Sequence, residues 1–297
     1  MQEKEMIIIT GPTASGKSAL AIETAIRLDT EIISADSRQM YAGIPIVTAQ
    51  PTAEELAAVA HHFIGQLPLT AYYSAAIYEE EAMRKAMEIM EERQSVVVCG
   101  GSMLYIDALC HGIDQLPTVP EDIRAGLMEE HSEKGDVWLL AELERLDPDY
   151  YRQVDLKNIK RVFHAVEIIR AAGRSYTSMR TGRRKTRPFK IRKYILEMPR
   201  EELFDRINRR VEAMICMGLE EEARRVYPQR ALNSLNTVGL KEMFAWFDGD
   251  MDRTTAIERI KKNTRVYAKK QITWWQRDRE IIPLNSTSAL ATILRGN

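Results

Sequence analysis

The sequence predicts an α/β fold, a parallel sheet flanked by helices, carrying an inserted all-helical domain. Three observations predict it. The octapeptide GPTASGKS at 11–18 fits G-x-x-x-x-G-K-[ST] and lies between an apolar run at 6–9 and a helical pattern at 19–28, the strand, glycine loop, helix context of a phosphate-binding loop. Further short apolar runs at 32–34 and 95–99 each precede a helical pattern, as the crossovers of a parallel sheet do. From about residue 113 to 190 no strand pattern occurs, and that stretch is too long for a loop. The fold expected is a P-loop NTPase-like parallel sheet built from 1–113 and 191–297, with a helical insertion at 114–190.

Composition narrows the function. The chain has 297 residues, 45% hydrophobic and 29% charged, which suits a core domain with a smaller one inserted. A formal net charge of −1 conceals an asymmetry: residues 1–150 carry 10 Lys and Arg against 26 Asp and Glu, and residues 151–297 carry 32 against 17. A polyanion is expected on the basic half. Residues 157–193 hold 13 basic residues and one acid, Glu167, with Tyr176 and Phe189 interleaved. A solvated helix face usually alternates its signs, and this stretch does not. Cys99, Cys110 and Cys216 are odd in number and lack C-x-x-C spacing, which points away from a disulfide framework and a zinc site and toward a reducing cytoplasm. The run at 6–9 enters the glycine loop without a leader pattern, and no apolar span approaches the roughly 20 residues of a membrane helix. A soluble, untargeted cytoplasmic protein with no membrane partner is expected.

Within the loop, Gly11 and Gly16 permit a tight turn whose backbone N–H groups face inward, so a polyanion sits at the positive end of the following helix. Lys17 adds a point charge, and the Ser18 hydroxyl suits a phosphate-bound Mg²⁺. The run at 32–34 ends at ADSRQMY, 35–41. Chemistry in such sheets gathers beyond the carboxyl ends of strands, so Asp36 is expected near the phosphate nest. There it holds Mg²⁺ through water, accepts a proton from an attacking nucleophile, or does no more than cap a helix.

A short helix is read at 53–60, followed by His61 and His62. Adjacent histidines on a helix point about 100° apart, so a shared metal is not expected and a structural role is. A long amphipathic helix follows at 75–92, with Ile77, Met83, Met87 and Met90 at helical spacing read as core filler. The strand at 95–99 ends in GGSMLY, 100–105; paired glycines let that backbone approach a ligand, and Ser102 caps the next helix or touches substrate. Neither this strand nor the one at 32–34 ends in the apolar-run-plus-Asp-Glu pattern of a hydrolytic ATPase, which weakens motor and switch readings.

Helices at 120–130, 137–146 and 158–172 fill the insertion, with Asp147-Pro148 and Gly173 as stops. Residues 191–197 return as a fourth strand. The helix at 201–217 places Arg206 and Arg210 one turn apart, where two guanidinium forks close over a diphosphate from the side opposite the loop, or pair with Glu202 and Glu212; spacing alone does not choose. A polar turn at 236–241 opens another helix, a basic helix covers 255–277, and 280–284 reads as a last short strand.

Taken in order, GPTASGKS at 11–18, ISADSRQMY from Ile33, YSAA from Tyr73, GGSMLY from Gly100, the Arg206 and Arg210 pair, TVGLKE from Thr237 and TRVYAKKQITW from Thr264 resemble the tRNA dimethylallyltransferase family, which prenylates the adenine at position 37 of tRNA. The resemblance spans almost the whole chain. It implies that the loop, Gly11, Pro12, Thr13, Ala14, Ser15, Gly16, Lys17 and Ser18, receives the diphosphate of dimethylallyl diphosphate rather than ATP, with Arg206 and Arg210 alongside and Mg²⁺ at Ser18. It implies Asp36 as the base at the exocyclic amine, with Thr13, Lys17 and Arg210 completing the catalytic set. It implies that the anticodon stem-loop of tRNA meets Asp36, Ser37, Arg38, Gln39, Ser102, Arg124, Lys160, Arg161 and Lys241, in a basic cleft between core and insertion, and that the enzyme works as a monomer. Three positions depart from the family pattern: Leu240 replaces a common aromatic, and Lys270 and His164 each replace a common arginine. Two other classes share parts of this pattern. A nucleotide- or metabolite-kinase-like phosphotransferase would use the loop for ATP and Arg206 and Arg210 as lid arginines, and a non-catalytic NTP-gated RNA-binding switch would turn over nothing.

Overall fold

The computed structural model describes residues 3–285 and 288–295. The chain divides into two units, Met1–His111 with Thr186–Asn297, and Gly112–Lys185. In chain order the elements of the larger unit begin β1 (Glu5–Thr10), α1 (Lys17–Arg27), β2 (Ile32–Ser34), α2 (Pro45–Thr48), α3 (Ala53–Ala58), β3 (His61–His62), α4 (Ala75–Glu92), β4 (Ser95–Cys99) and α5 (Met103–His111). The smaller unit holds α6 (Glu121–Leu146), α7 (Pro148–Tyr151), α8 (Ile159–Ala172) and α9 (Tyr176–Met179). The larger unit resumes with β5 (Lys190–Glu197), α10 (Arg200–Cys216), α11 (Leu219–Val226), α12 (Leu240–Phe247), α13 (Arg253–Trp275), β6 (Ile282–Asn285) and α14 (Ala289–Arg295).

The six strands form one sheet in the order β3-β2-β4-β1-β5-β6, with every neighbouring pair parallel. β1 lies inside it, its residues all buried, which is why its sequence is a continuous apolar run rather than an alternating one. It is registered Ile7 to Val97 on β4 and Ile9 to Tyr194 on β5. One face of the sheet packs Ile7, Ile9, Val97 and Leu196 on Ala21 and Ala25 of α1 and on Ala289 and Ile293 of α14. Buried charges on β5 are paired: Arg192 with Glu5, and Lys193 with Asp278 at 2.6 Å. The loop entering β5 is anchored by Arg187, which donates to Glu79 on α4 at 2.7 Å and to the carbonyls of Ala108 and Leu109 on α5 at 2.9 Å each.

Two local readings change. His61 and His62 are an edge strand paired with Ile32 and Ile33, not the continuation of a helix, because α3 stops at Ala58 and Val59 is extended. The buried stripe of α4 runs through Tyr78, Ala82, Ala86, Ile89 and Met90, while Met87 is 41% exposed; alanines let this helix lie close to the sheet, and Met87 is not core.

The smaller unit has its own apolar centre, in which Val162, Val166 and Ile169 of α8 meet Leu127, Leu139 and Leu143 of α6. Gly135 breaks α6 with φ 75° and ψ −177°, so the two helices expected there are present and joined at a kink. Asp147 stops α6 and caps α7, accepting from Tyr150 N at 3.0 Å and Thr177 N at 2.7 Å. Among the described residues no helix is long and apolar enough to cross a membrane.

Candidate active site

The glycine loop leaves the carboxyl end of β1 and turns directly into α1. Gly16 takes the N-cap with φ 96°, a conformation costly for any residue with a Cβ. The Ser15 hydroxyl is buried and has no hydrogen-bond partner among the described residues. An orphaned donor in a cradle of amides fits an oxygen-rich ligand. Among the described residues Lys17 donates only to the Pro12 carbonyl, at 3.3 Å.

α10 supplies the opposite wall. Arg206, Arg209 and Arg210 face Ala14, Gly16, Lys17 and Ser18 across a cavity of about 380 Å³. Among the described residues Arg206 keeps as its only ion pair a long 3.8 Å contact to Glu202, and Arg210 makes no ion pair within 4 Å. The Glu202 and Glu212 alternatives left open by spacing are thus not what holds Arg210; Glu212 pairs with Lys261 at 3.0 Å.

Beyond β2 the chain bends so that Asp36 Oδ1 accepts from Arg38 N at 2.9 Å and Gln39 N at 3.4 Å. This is a side-chain turn, not an α-helix cap, and the second carboxylate oxygen has no hydrogen-bond partner among the described residues. Asp36, Thr13, Ser102, Arg210, Lys241 and Tyr267 line a cavity of about 590 Å³. Arg210 lines both this cavity and the phosphate-loop one, so the carboxylate and the cationic cradle share a wall.

The electrostatics join the same groups. Burial pulls the Lys17 ammonium below its ordinary value and the nearby Arg210 pulls it further, while Cys99 and Asp36 hold it up. Burial likewise lowers Arg210, with Asp36 opposing. Burial pushes the Cys99 thiol up to about 11 against Lys17 and a hydrogen bond with Ser18, so this thiol is not a nucleophile at neutral pH. The Tyr267 hydroxyl is pushed up to about 12 by burial and by the charge of Asp36. Two cations lowered by burial, with no bonded carboxylate among the described residues, thus lie beside one half-engaged carboxylate, an arrangement that suits an anionic ligand.

The remaining residues predicted from sequence have varied settings. Ser102 Oγ accepts from Ser37 N at 2.8 Å. Arg38 donates to the carbonyls of Asn233 at 2.7 Å and Ser234 at 3.1 Å, tying down the turn before α12, and the Gln39 amide donates to Ala49 O at 2.8 Å. Lys241 is exposed at the start of α12, and Leu240 beside it is buried in an apolar cluster. In the smaller unit Lys160 and Arg161 are exposed on the first turn of α8. Arg124 is held by Glu167 at 2.9 Å, and His164 bonds the same carboxylate at 2.8 Å.

Sequence reasoning passed over Gln271 and Tyr267 on α13. Gln271 was detectable, since it sits in the stripe Ala268, Gln271, Trp275 that the helix buries, and a buried polar side chain demands partners. Among the described residues no group of three or more His, Cys, Asp or Glu side chains could hold a metal ion by itself.

The chain is similar to known proteins over most of its length. The sequence profile of the family described as IPP transferase matches residues 39–278. A protein of Bacteroides thetaiotaomicron named tRNA dimethylallyltransferase 1 is 52% identical over 276 residues, covering 93% of this chain and 90% of its own. Among solved structures, the full-length tRNA isopentenylpyrophosphate transferase of Bacillus halodurans is 32% identical with a TM-score of 0.71, over 99% of this chain and 95% of its own. The tRNA delta(2)-isopentenylpyrophosphate transferase of Staphylococcus epidermidis is 30% identical, also with a TM-score of 0.71, over 99% and 98%. With sequence and fold alike over nearly their full lengths, the chain belongs to the IPP transferase family.

Proposed function

We propose that this chain transfers a dimethylallyl group from dimethylallyl diphosphate to the N6 amine of adenine 37 of tRNA, next to the anticodon, and releases diphosphate. The observation that carries this reading is the shared wall: Arg210 faces the phosphate loop on one side and Asp36 on the other. A leaving diphosphate and an accepting amine need those two environments side by side, on either side of the transferred carbon. The names of the relatives, given for enzymes that act on tRNA, agree with it.

In the transfer the C1–O bond of the donor breaks and its electron pair leaves on diphosphate. Loop amides, Lys17, Arg206 and Arg210 receive that charge, and cations that already face the loop reduce the reorganisation needed as charge develops. The N6–C1 bond forms from the other side of the allyl carbon, and the unengaged Asp36 oxygen accepts the proton the amine gives up. A stacked adenine cannot reach Asp36, so the base is flipped into the larger cavity. Its volume of about 590 Å³ lies in the usual range for such a pocket.

The donors at the loop fit Mg²⁺. The Ser18 hydroxyl is a hard oxygen, and Mg²⁺ usually keeps several waters and binds substrate phosphates rather than sitting in a complete protein cage. Bound there it would neutralise charge on the departing diphosphate. For RNA, exposed cations of the smaller unit, Lys160 and Arg161, with Lys241 of the larger one, supply phosphate contacts.

The test is incubation of the protein with labelled dimethylallyl diphosphate, Mg²⁺ and unmodified tRNA, followed by nucleoside analysis. Prenylated adenosine that disappears with Asp36→Ala, by about 10²–10⁴-fold in rate, is expected. ATP turnover with a small-molecule acceptor and no tRNA product would overturn the reading in favour of a phosphotransferase.

A further inference from the structure

We infer that Gln271 is a positioning residue for this transfer, one buried amide that fixes the diphosphate side of the site relative to the adenine side. The inference rests on the reading above. Gln271 is 1% exposed on α13. Its Oε1 accepts the Thr13 N–H at 2.9 Å, and its Nε2 donates to the Gly101 carbonyl at 2.9 Å. The two partners belong to the two loops that build the site.

Each contact passes directly to a functional group. Thr13 stands in the phosphate loop, and its N–H is taken up by Gln271, so the arc of amides left for an anion is set by where α13 stands. Gly101 precedes Ser102, whose hydroxyl holds Ser37 N at 2.8 Å, and Ser37 follows Asp36. From donor cradle to base there are thus two hydrogen bonds of one side chain and one of its neighbour. Gly101 makes room for this: a Cβ there would stand 2.4 Å from Gln271 Nε2, so any larger residue displaces the amide.

Two neighbours on α13 reach the same loop region without spanning to the phosphate loop. Tyr267 OH donates to Gly101 O at 3.5 Å, and Trp274 Nε1 donates to Asp107 on α5 at 3.0 Å. The strand ends beneath the two loops stay joined through Thr10 Oγ1, which donates to Gly100 O at 3.0 Å, so loss of Gln271 leaves helix and strands docked while Thr13 and Gly101, one step further out, lose their common tie. In-line displacement is sensitive to such loosening, since a misplacement of about 1 Å costs about 10²-fold. The effect falls on kcat, because neither substrate loses a direct contact.

The test compares wild type, Gln271→Met, Gly101→Ala and the double variant in steady-state prenylation of tRNA, alongside circular dichroism and thermal unfolding. Gln271→Met is expected to lower kcat by about 10- to 100-fold with both KM values within about 3-fold. Gly101→Ala acts through the same contact and gives a second reading should the methionine variant not fold. The double variant is expected within about 3-fold of the worse single one. A kcat within about 3-fold of wild type in folded Gln271→Met, a loss confined to donor KM, or losses that multiply in the double variant would each overturn the inference. Wild-type protein that makes no prenylated tRNA overturns the proposed function and this inference with it; an active wild type with indifferent variants overturns Gln271 alone.

Discussion

Ser37 and Ser102 are joined twice: the Ser37 N–H donates to Ser102 Oγ at 2.8 Å, and that hydroxyl donates to Ser37 Oγ at 3.1 Å. The link fastens the turn bearing Asp36 to the loop that ends β4, across two adjacent strands. Ser102→Ala removes both bonds and leaves a backbone N–H unpaired. A loss of about 1–1.5 kcal/mol in holding the turn is expected to appear as a roughly tenfold fall in kcat. Tight donor binding should persist, since the cradle is untouched, and isothermal titration with a non-reacting donor analogue checks it.

In the proposed transfer Arg210 contributes geometry as well as charge. Replacement by lysine keeps the charge but not the planar fork that faces two cavities. Arg210→Lys is expected to lose about 10-fold or more in kcat, and Arg210→Ala about 10²–10³-fold, measured with saturating tRNA. If the two variants behave alike, charge alone is the contribution.

In the proposed transfer Lys17 gives donor binding a pH dependence. Its pKa is lowered by burial, so the unliganded site loses this proton at lower pH than an ordinary lysine would. A bound diphosphate favours the ammonium, so above the free-site pKa binding must take up a proton. Donor KM is therefore expected to rise with pH on the alkaline side, approaching about tenfold per pH unit. Lys17→Arg, which cannot deprotonate, should flatten that rise even as it lowers kcat. A donor KM independent of pH in wild type would contradict this account.

Glu167 is one of the carboxylates that give the smaller unit its acid limit, beside Asp114, Glu130 and Glu142. Burial pushes its carboxyl up, but hydrogen bonds from His164 and Arg124 outweigh that and hold it below the ordinary glutamate value. With the folded pKa depressed, the stabilisation is complete above the unfolded value of about 4.3 and is lost as pH falls through the folded one. Glu167→Gln is expected to cost about 1–3 kcal/mol at neutral pH and to flatten the acid limb of a stability curve measured by urea unfolding. Arg124→Met should show part of the same loss, distinguishing a residue with a structural partner from one that only meets RNA.

Lys160 and Arg161 are exposed and make no salt bridge among the described residues. Their replacement by glutamine is expected to weaken tRNA binding several-fold, to reduce the slope of log affinity against log salt by about 1–2, and to leave donor KM unchanged. Fluorescence anisotropy of a labelled tRNA across salt concentrations measures it.

Much of the sheet is legible in the sequence because buried parallel strands are unbroken apolar runs ending in Gly or Asp. The phosphate loop is legible because its φ values require glycine at fixed places. β3 is not, since two histidines carry no apolar pattern and become a strand only by pairing with β2. The setting of Arg210 is hidden for a related reason: i,i+4 spacing offered Glu202 and Glu212 equally, and the side chain instead lines the cavities that α10 faces. Gln271 and Thr13 stand 258 positions apart, beyond the reach of any local pattern.

The flanking of β1 by β4 and β5 has a consequence for biosynthesis. Glu5 and Arg192 are separated by 187 positions, and the whole smaller unit is translated between the two strands. A nascent chain on the ribosome can close that unit from its own near-neighbour contacts while β1 still lacks one side. The donor cradle is thus assembled late, and until β5 arrives an apolar ribbon stands open to chaperones.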